Sequence, residues 1–578
     1  MSGSAWLNIS SPTAAMMRSA GPRALRTAGR QRLTPGWLMV ARPSLSAVSA
    51  VSMVSRLSSN THNHNHNQTR SLSTTATCRQ NKLPEYDFDW TVDEPERQWS
   101  TPLAKQLAQA IQATGPVPLA SYMRMCLTSD LGGYYSGALE EGRDQFGLKG
   151  DFVTSPEISQ VFGELMGVWF VTEWIAQGRP SQGVELIEVG PGRGTLMDDM
   201  LRTIQSFPAM ARSVDAIYMV EASPELRVAQ KKLLCEEDAP MTESKVGYHS
   251  ICKYTSLPIV WTETIKSIPV SPEKMPLIVA HEFFDALPIH AFQCVHVPAT
   301  QSATPSAADQ SSPSSRTSQP TLQWREMLVS PTPPDSTHVS LGTPRSQSHD
   351  TPPPDFQLTL AKAPTRHSLY LPESSARYRA IKKQTGPGAL LEICPDAALY
   401  AADFAARIGG SAQHPKAKPS GAALILDYGP GDGTVPTNSL RGIRRHRRVS
   451  PFAEPGLTDL SADVDFAAIA EVAMRASEGI EVHGPVDQGT FLQVMGIRER
   501  AEMLIKVAAA AAAKGQREQG DEQAAAVVKD PAEVVHKAWK RLVDQGPGGM
   551  GKVYKVMSIL PENEGKRRPV GFGGDVVA

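Results

Sequence analysis

Apolar residues along the chain fall into two patterns. Short, nearly continuous runs occupy residues 184–189, 216–220, 277–280, 422–426 and 553–559, each bounded by turn residues. Helical spacings fill most of the intervals, for example 195–207, 224–234 and 396–408. Runs without polar alternation belong to strands covered on both faces, and strands alternating with helices build a parallel sheet. The pattern predicts an α/β fold with a doubly wound, mostly parallel, Rossmann-like sheet. Added helical segments precede and follow it. Order is predicted to begin near Thr101, with Pro102 at a first-turn position and Leu103, Leu107, Ala110 and Ile111 at helical spacing, followed by an amphipathic piece over 119–127. An alanine-rich stretch, 501–528, reads as a polar-flanked helix.

Two regions break the pattern. Residues 298–354 are 57 positions with eleven prolines and many Ser and Thr, a composition that cannot bury enough apolar surface to offset chain entropy. A disordered insertion is predicted there. Inside it, residues 322–329 alternate apolar and polar positions and predict a strand, paired with 291–297 in a hairpin whose loop is greatly extended. The last residues, 561–578, are predicted to be a disordered tail.

Charge divides the chain further. The 58 basic and 59 acidic side chains nearly cancel, yet residues 1–84 hold ten Lys or Arg and no acid, leaving −11 on the remainder. A basic, Ser- and Ala-rich, acid-free leader matches an organellar transit peptide, and no sustained apolar run argues for a signal peptide or a membrane span. The acidic body lacks the footprint that nucleic-acid binding needs. Six scattered cysteines with no C-x-x-C pair indicate neither a disulfide framework nor a structural zinc site. The tract His62, His64, His66 lies in the leader and reads as low complexity, so no metal is expected.

The most informative stretch runs from Val184 through Glu188-Val-Gly190-Pro-Gly192-Arg-Gly194, a strand entering a glycine turn and then a helix. Gly190 and Gly192 permit a close backbone approach to a ligand, and Gly194 permits tight helix packing. The next apolar run ends at Glu221, placed to accept both hydroxyls of a ribose. Glu188 adds a carboxylate that repels a pyrophosphate and favours the ammonium of a methionine-like group. A dinucleotide site is the competing ligand reading, but its spacing is G-x-G-x-x-G, whereas here it is G-x-G-x-G. The bland alternative is a turn that merely joins a strand to a helix.

These residues resemble motif I and the following acid of class I S-adenosylmethionine methyltransferases. Further segments narrow the match: Tyr122-Met-Arg-Met-Cys-Leu-Thr with Gly133-Tyr-Tyr, the run from Asp151 through Thr154-Ser155-Pro-Glu157 to Glu164, Val279-Ala-His281-Glu282-Phe-Phe-Asp285-Ala-Leu-Pro, Glu392-Ile-Cys-Pro, Leu440-Arg-Gly, Asp459-Leu-Ser-Ala-Asp-Val-Asp-Phe and Gly484-Pro-Val-Asp-Gln-Gly. Together they resemble the MidA-like methyltransferases, and within that family the mitochondrial arginine methyltransferases that serve respiratory complex I assembly. The resemblance covers a methyltransferase domain over residues 100–560, the insertion excluded. It implies S-adenosyl-L-methionine as cofactor, ω-N symmetric dimethylation of an arginine on a 49-kDa-type subunit of NADH dehydrogenase, and the mitochondrial matrix as location. The insertion, the alanine-rich stretch, Ile443 in place of an aromatic and the long tail depart from the family.

Methyl transfer to a guanidinium needs carboxylates that orient it and accept a proton. Glu282 and Asp285 are three apart, so a helical turn starting there puts both on one pocket, with Glu282 holding the guanidinium, Asp285 its partner and His281 a proton acceptor. The bland alternatives are Asp285 as a helix cap and His281 as a buried, satisfied imidazole. Ser155 is predicted to cap a helix opening at Pro156, and the resemblance places Thr154, Ser155 and Glu157 near the methionine end. The basic turn 441–446 reads as a solvated face, with a partner's acids the alternative. Two rival functions remain: a methyltransferase of the same fold with another substrate, and a non-catalytic complex I assembly scaffold.

Overall fold

The computed structural model describes residues 97–136, 150–151, 153–297, 321–344, 351–518 and 530–573, with side chains omitted over 511–518. The leader and its histidine tract lie outside the described residues.

The strands used below are β1 (Val184–Val189), β2 (Val214–Val220), β3 (Pro258–Thr262), β4 (Met275–His281), β5 (His290–Val297), β6 (Thr321–Pro331), β7 (Ala422–Tyr428), β8 (Ile480–Asp487) and β9 (Tyr554–Pro561). The helices are α1 (Pro102–Thr114), α2 (Leu119–Thr128), α3 (Gln160–Ala176), α4 (Thr195–Gln205), α5 (Pro224–Leu234), α6 (Pro395–Gly409), α7 (Phe466–Ala476), α8 (Ile497–Glu518) and α9 (Pro531–Val543).

A nine-stranded mixed sheet forms the centre, in the order β8-β9-β7-β4-β1-β2-β3 and then Tyr248–Ile251 and Thr242–Glu243. The strands β7, β4, β1, β2 and β3 are parallel, in a register that sets Ile187 beside Tyr218 and Ile278. The two strands at either end are antiparallel. The expected mostly parallel sheet is thus parallel only in its middle five strands. Residues 553–559 were legible as a buried strand, but an apolar run records burial and carries no strand direction.

Helices cover both faces of the sheet. Leu186 and the other residues of β1 on its side pack against α3 and α4, through Phe162, Trp169, Met200 and Ile204. Ile187 and Val189 pack on α6 and α7, through Ala401, Phe404, Phe466 and Ile469. Each such side chain, fully buried, contributes about 1.5–3 kcal/mol. Both helices on this second face start from local chemistry: α6 has Pro395 in its first turn with Asp396 and carries Arg407 in its last, and Asp465 caps α7 through Ala468 N–H. At the front of the chain, Thr101 Oγ1 accepts from Ala104 N–H and begins α1, which buries Leu103, Leu107 and Ile111.

A second, antiparallel sheet pairs β5 with β6, setting Cys294 opposite Trp324. The expected hairpin across the insertion is present. The insertion is ordered beyond that strand: Thr332 is buried, its amide donates to Asp355 O and its hydroxyl to Pro354 O. Residues 298–320 and 345–350 fall outside the description. The expectation of a disordered tail fails for 562–573. Arg567 grips the fully buried Glu173 at 2.8 and 2.6 Å, Trp169 Nε1 donates to Val570 O at 3.1 Å, and Phe572 is buried against Phe491 and Trp169. Polar composition hid this segment, because its anchors are an ion pair, a single ring and scattered hydrogen bonds rather than an apolar run. The alanine-rich helix starts four residues earlier than predicted, at Ile497 in α8, and residues 519–529 lie outside the description.

Candidate active site

At the carboxyl ends of the parallel strands lies a cavity of about 910 Å³ whose walls include Glu188, Gly190, Gly192, Glu221, His281 and Glu282. Three strand ends meet there. From β1 the chain turns through Gly190, Gly192 and Gly194 with φ of +69°, +53° and +85° before α4 begins at Thr195. A Cβ on Gly190 would stand 2.6 Å from Phe283 Cδ2, so that turn excludes a side chain on steric grounds as well as conformational ones. Gly194 is left-handed at the start of α4 and does not line the cavity; Gln230 of α5 packs over it.

Two carboxylates flank the turn. Glu221, at the end of β2, is held by Ser223 N–H at 2.9 Å and Gln230 Nε2 at 3.2 Å. Burial pushes its carboxyl up to about 7 against those donors. Glu188, on β1, is pushed well above the usual carboxylate range by burial; the Met197 N–H opposes this and nearby Glu221 adds to it. Its Oε2 is buried with no hydrogen-bond partner among the described residues. An unpartnered buried carboxylate oxygen is costly, and a cationic group in the cavity would satisfy it.

The third strand, β4, ends in His281 and Glu282. Glu282 takes φ +49°, unusual for a residue with a side chain, and its amide still bonds Leu426 O at 3.0 Å. Beyond it no helical turn forms. Instead Asp427 Oδ2, at the end of β7, accepts the amides of Phe283, Phe284 and Asp285 at 3.1, 2.8 and 3.3 Å. The two acids therefore diverge. Glu282 lines the cavity and accepts from Tyr554 OH at 2.8 Å, with Ser155 N–H facing the same carboxylate. Burial, then the neighbouring Asp285, pushes Glu282 up to about 8. Asp285 is not on the cavity wall; it points to Arg441 Nη2 at 3.9 Å. Burial raises its carboxyl and Arg441 pulls it back. His281 lines the cavity against Phe162, with Nε2 3.5 Å from Glu282 Oε1, and burial pulls it down to about 3, so it is neutral.

The segment before α3 closes one wall. Thr154 and Glu157 line the cavity, and Glu157 stands 3.4 Å from Arg193 Nη1 of the glycine turn. Ser155 is fully buried and off the wall, and the short helix Ser155–Ile158 starts one residue earlier than expected. Its cap is Thr154, whose amide donates to Glu157 at 3.4 Å. A Ser-Pro pair is a strong local start signal, but Thr154-x-x-Glu157 completes the reciprocal box that Ser155 cannot.

Several residues of the site escaped the sequence reading. Tyr554 comes from the antiparallel β9, with its hydroxyl between Glu282 and Tyr428 OH. Arg441, expected on a solvated turn, is largely buried, stacked 4.9 Å over Tyr428 and hydrogen-bonded to Asp463. Asp427 alone had a usable signal, a carboxylate directly after an apolar strand run.

Residues 165–486 match the family described as "Putative S-adenosyl-L-methionine-dependent methyltransferase". The chain is 35% identical over 420 residues to the mouse protein arginine methyltransferase NDUFAF7, mitochondrial, covering 72% of this chain and 79% of that one. The human protein of the same name is 33% identical over 417 residues, covering 72% and 77%. A crystal structure from Burkholderia thailandensis bound to S-adenosyl-homocysteine shares the fold, with a TM-score of 0.53 at 21% identity over 82% of this chain and 93% of that chain.

Proposed function

The chain belongs to the family of S-adenosyl-L-methionine-dependent methyltransferases, and from that premise we propose that it methylates arginine on a protein of the mitochondrial matrix. The substrate is a 49-kDa-type subunit of complex I NADH dehydrogenase, and the product is the symmetric ω-N dimethylated side chain. The mitochondrial arginine methyltransferase names of its relatives support this reading, as does the acidic body, in which no helix among the described residues is long and apolar enough to cross a membrane. Five parallel strands with helices on both faces support reading the sheet as the doubly wound, Rossmann-like one of class I methyltransferases.

The observation that carries the proposal is Glu282, a buried carboxyl at about 8 on the wall of the cavity that also holds Glu188, Gly190, Gly192 and Glu221. Those residues fit S-adenosyl-L-methionine: Glu221 suits the ribose hydroxyls, and the unpartnered Glu188 Oε2 suits the amino group. Thr154 and Glu157 close the methionine end, Ser155 acting through its amide. When bound, the cofactor supplies an electrophilic methyl group. Glu282 orients the incoming guanidinium and takes the proton that the substituted nitrogen gives up. A carboxyl near 8 is matched to that task at neutral pH, whereas His281 near 3 is too weak a base and serves as packing beside it. Asp285 acts from behind: it raises Glu282 by repulsion and does not touch the guanidinium.

The test is incubation of the full chain with methyl-labelled S-adenosyl-L-methionine and the recombinant 49-kDa-type subunit, read by mass spectrometry. Symmetrically dimethylated arginine is expected. Label on another residue or on a small molecule would replace the substrate, and no label with intact cofactor binding would make the protein a scaffold.

A further inference from the structure

Away from that cavity, on the antiparallel sheet, two imidazoles and a carboxylate converge. His290 opens β5, Glu326 lies in β6, and His367 stands in the first turn of the short helix Arg366–Tyr370. Glu326 is fully buried. Its Oε1 faces His290 Nδ1 at 2.8 Å and His367 Nδ1 at 3.2 Å, and all three donor atoms lie within 4.8 Å of one another. The other oxygen, Oε2, accepts from the Thr365 hydroxyl. Thr365 also caps the helix that carries His367, so one residue fixes both the carboxylate and the second imidazole.

The geometry points to a binding site for a divalent transition-metal ion of the zinc class, ligated by His290 Nδ1, Glu326 Oε1 and His367 Nδ1. Tetrahedral zinc with bonds of about 2.0–2.1 Å holds neighbouring donors about 3.3 Å apart, so the observed 2.8 and 3.2 Å separations of the two nitrogens from the oxygen need to open by about 0.5 and 0.1 Å. Two imidazoles with one carboxylate suit zinc, nickel or copper, whereas calcium and magnesium require oxygen donors. The centroids of the two imidazole rings lie 4.1 Å apart, so both rings border the same point beside Glu326. The Thr365 hydroxyl supplies the outer hydrogen bond that orients a ligating carboxylate. His367 has 45% of its side chain exposed, so the fourth position opens to water. A bound ion pins the 365–370 segment to β5 and β6, three residues beyond Leu287 on the wall of the methyltransferase cavity.

The experiment uses the full chain stripped with chelator, with His62, His64 and His66 replaced by alanine so that the leader adds no competing sites. Zinc sulfate is titrated in by calorimetry, and melting is followed with and without the ion. One equivalent is expected to bind and to raise the melting temperature. His367→Ala, at an exposed position that leaves the fold intact, is expected to weaken binding at least about tenfold and to abolish the thermal shift, as is Glu326→Gln. Absence of stoichiometric uptake by the parent protein, or unchanged binding in His367→Ala, overturns the site.

Discussion

Replacing Glu282 with glutamine keeps the size of the side chain and an acceptor for Tyr554 OH, and removes only the charge proposed to hold a guanidinium and to take its proton. The structure sets the magnitude through its carboxyl, pushed up to about 8 by burial and by Asp285. In the free enzyme the working carboxylate is then a minority species below that pH, and its fraction falls about tenfold for each unit of acidification. Wild-type kcat/KM is expected to climb about tenfold per unit toward pH 8 and then level. Glu282→Gln is expected to be about 10²–10⁴-fold slower near pH 8 and to lose the limb. The assay is initial-rate transfer of labelled methyl to an arginine-bearing substrate across this range, with cofactor affinity measured in parallel and expected to stay nearly unchanged. Stability gives a second readout. An acid raised in the fold from its ordinary 4.5 to about 8 favours the folded state below 4.5, and that advantage is lost as pH rises through 8. Wild type should therefore lose melting temperature relative to the glutamine variant over this window. A variant that keeps the wild-type limb and turnover refutes the assignment.

Gly192→Val, at φ +53° on the cavity wall, is expected to abolish cofactor binding by calorimetry while circular dichroism remains native. Gly190→Ala adds a Cβ 2.6 Å from Phe283 Cδ2 at φ +69°, and is expected to lower stability by at least about 1–2 kcal/mol in urea melts, the backbone cost alone. Arg567→Ala leaves the fully buried Glu173 without its cation and is expected to cost about 3–5 kcal/mol at neutral pH by the same measurement, a loss that a mere dangling tail would not produce.

The fold was legible wherever burial is written in consecutive residues. The runs at 184–189 and 422–426 carry their strands because both faces are covered, and Thr101-Pro102 carries α1 because cap and first turn are local chemistry. Strand direction was not legible, so nothing in the run at 553–559 marked β9 as antiparallel. Part of the cavity wall was legible for a related reason: the glycine spacing and the acid at 221, which the structure brings to one cavity, are features of single loops. What the sequence hid are contacts between residues hundreds of positions apart, such as Tyr554 on Glu282 and Arg567 on Glu173, for which nothing near either residue points to its partner.

The same limit explains why Glu282 and Asp285 part company. Spacing of three is compatible with a shared pocket only if the backbone is helical, and the backbone here is dictated by Asp427, which gathers three successive amides on one oxygen and a fourth, from Tyr428, on the other at 2.8 Å. With those amides held by Asp427, Asp285 faces Arg441 and not the cavity. The two carboxyls then communicate through the protein: Asp285 faces Arg441, Arg441 stacks on Tyr428, and Tyr428 shares the Tyr554 hydroxyl with Glu282. A chain of this kind ties the proton affinity of the cavity acid to a buried ion pair off the cavity wall. Arg441→Lys, which keeps the charge and loses the planar stack, should therefore shift the pH at which the rate limb levels without changing cofactor affinity. An unmoved limb would mean that the Arg441–Tyr428 stack does not bear on Glu282, leaving burial and the repulsion of Asp285 to set it.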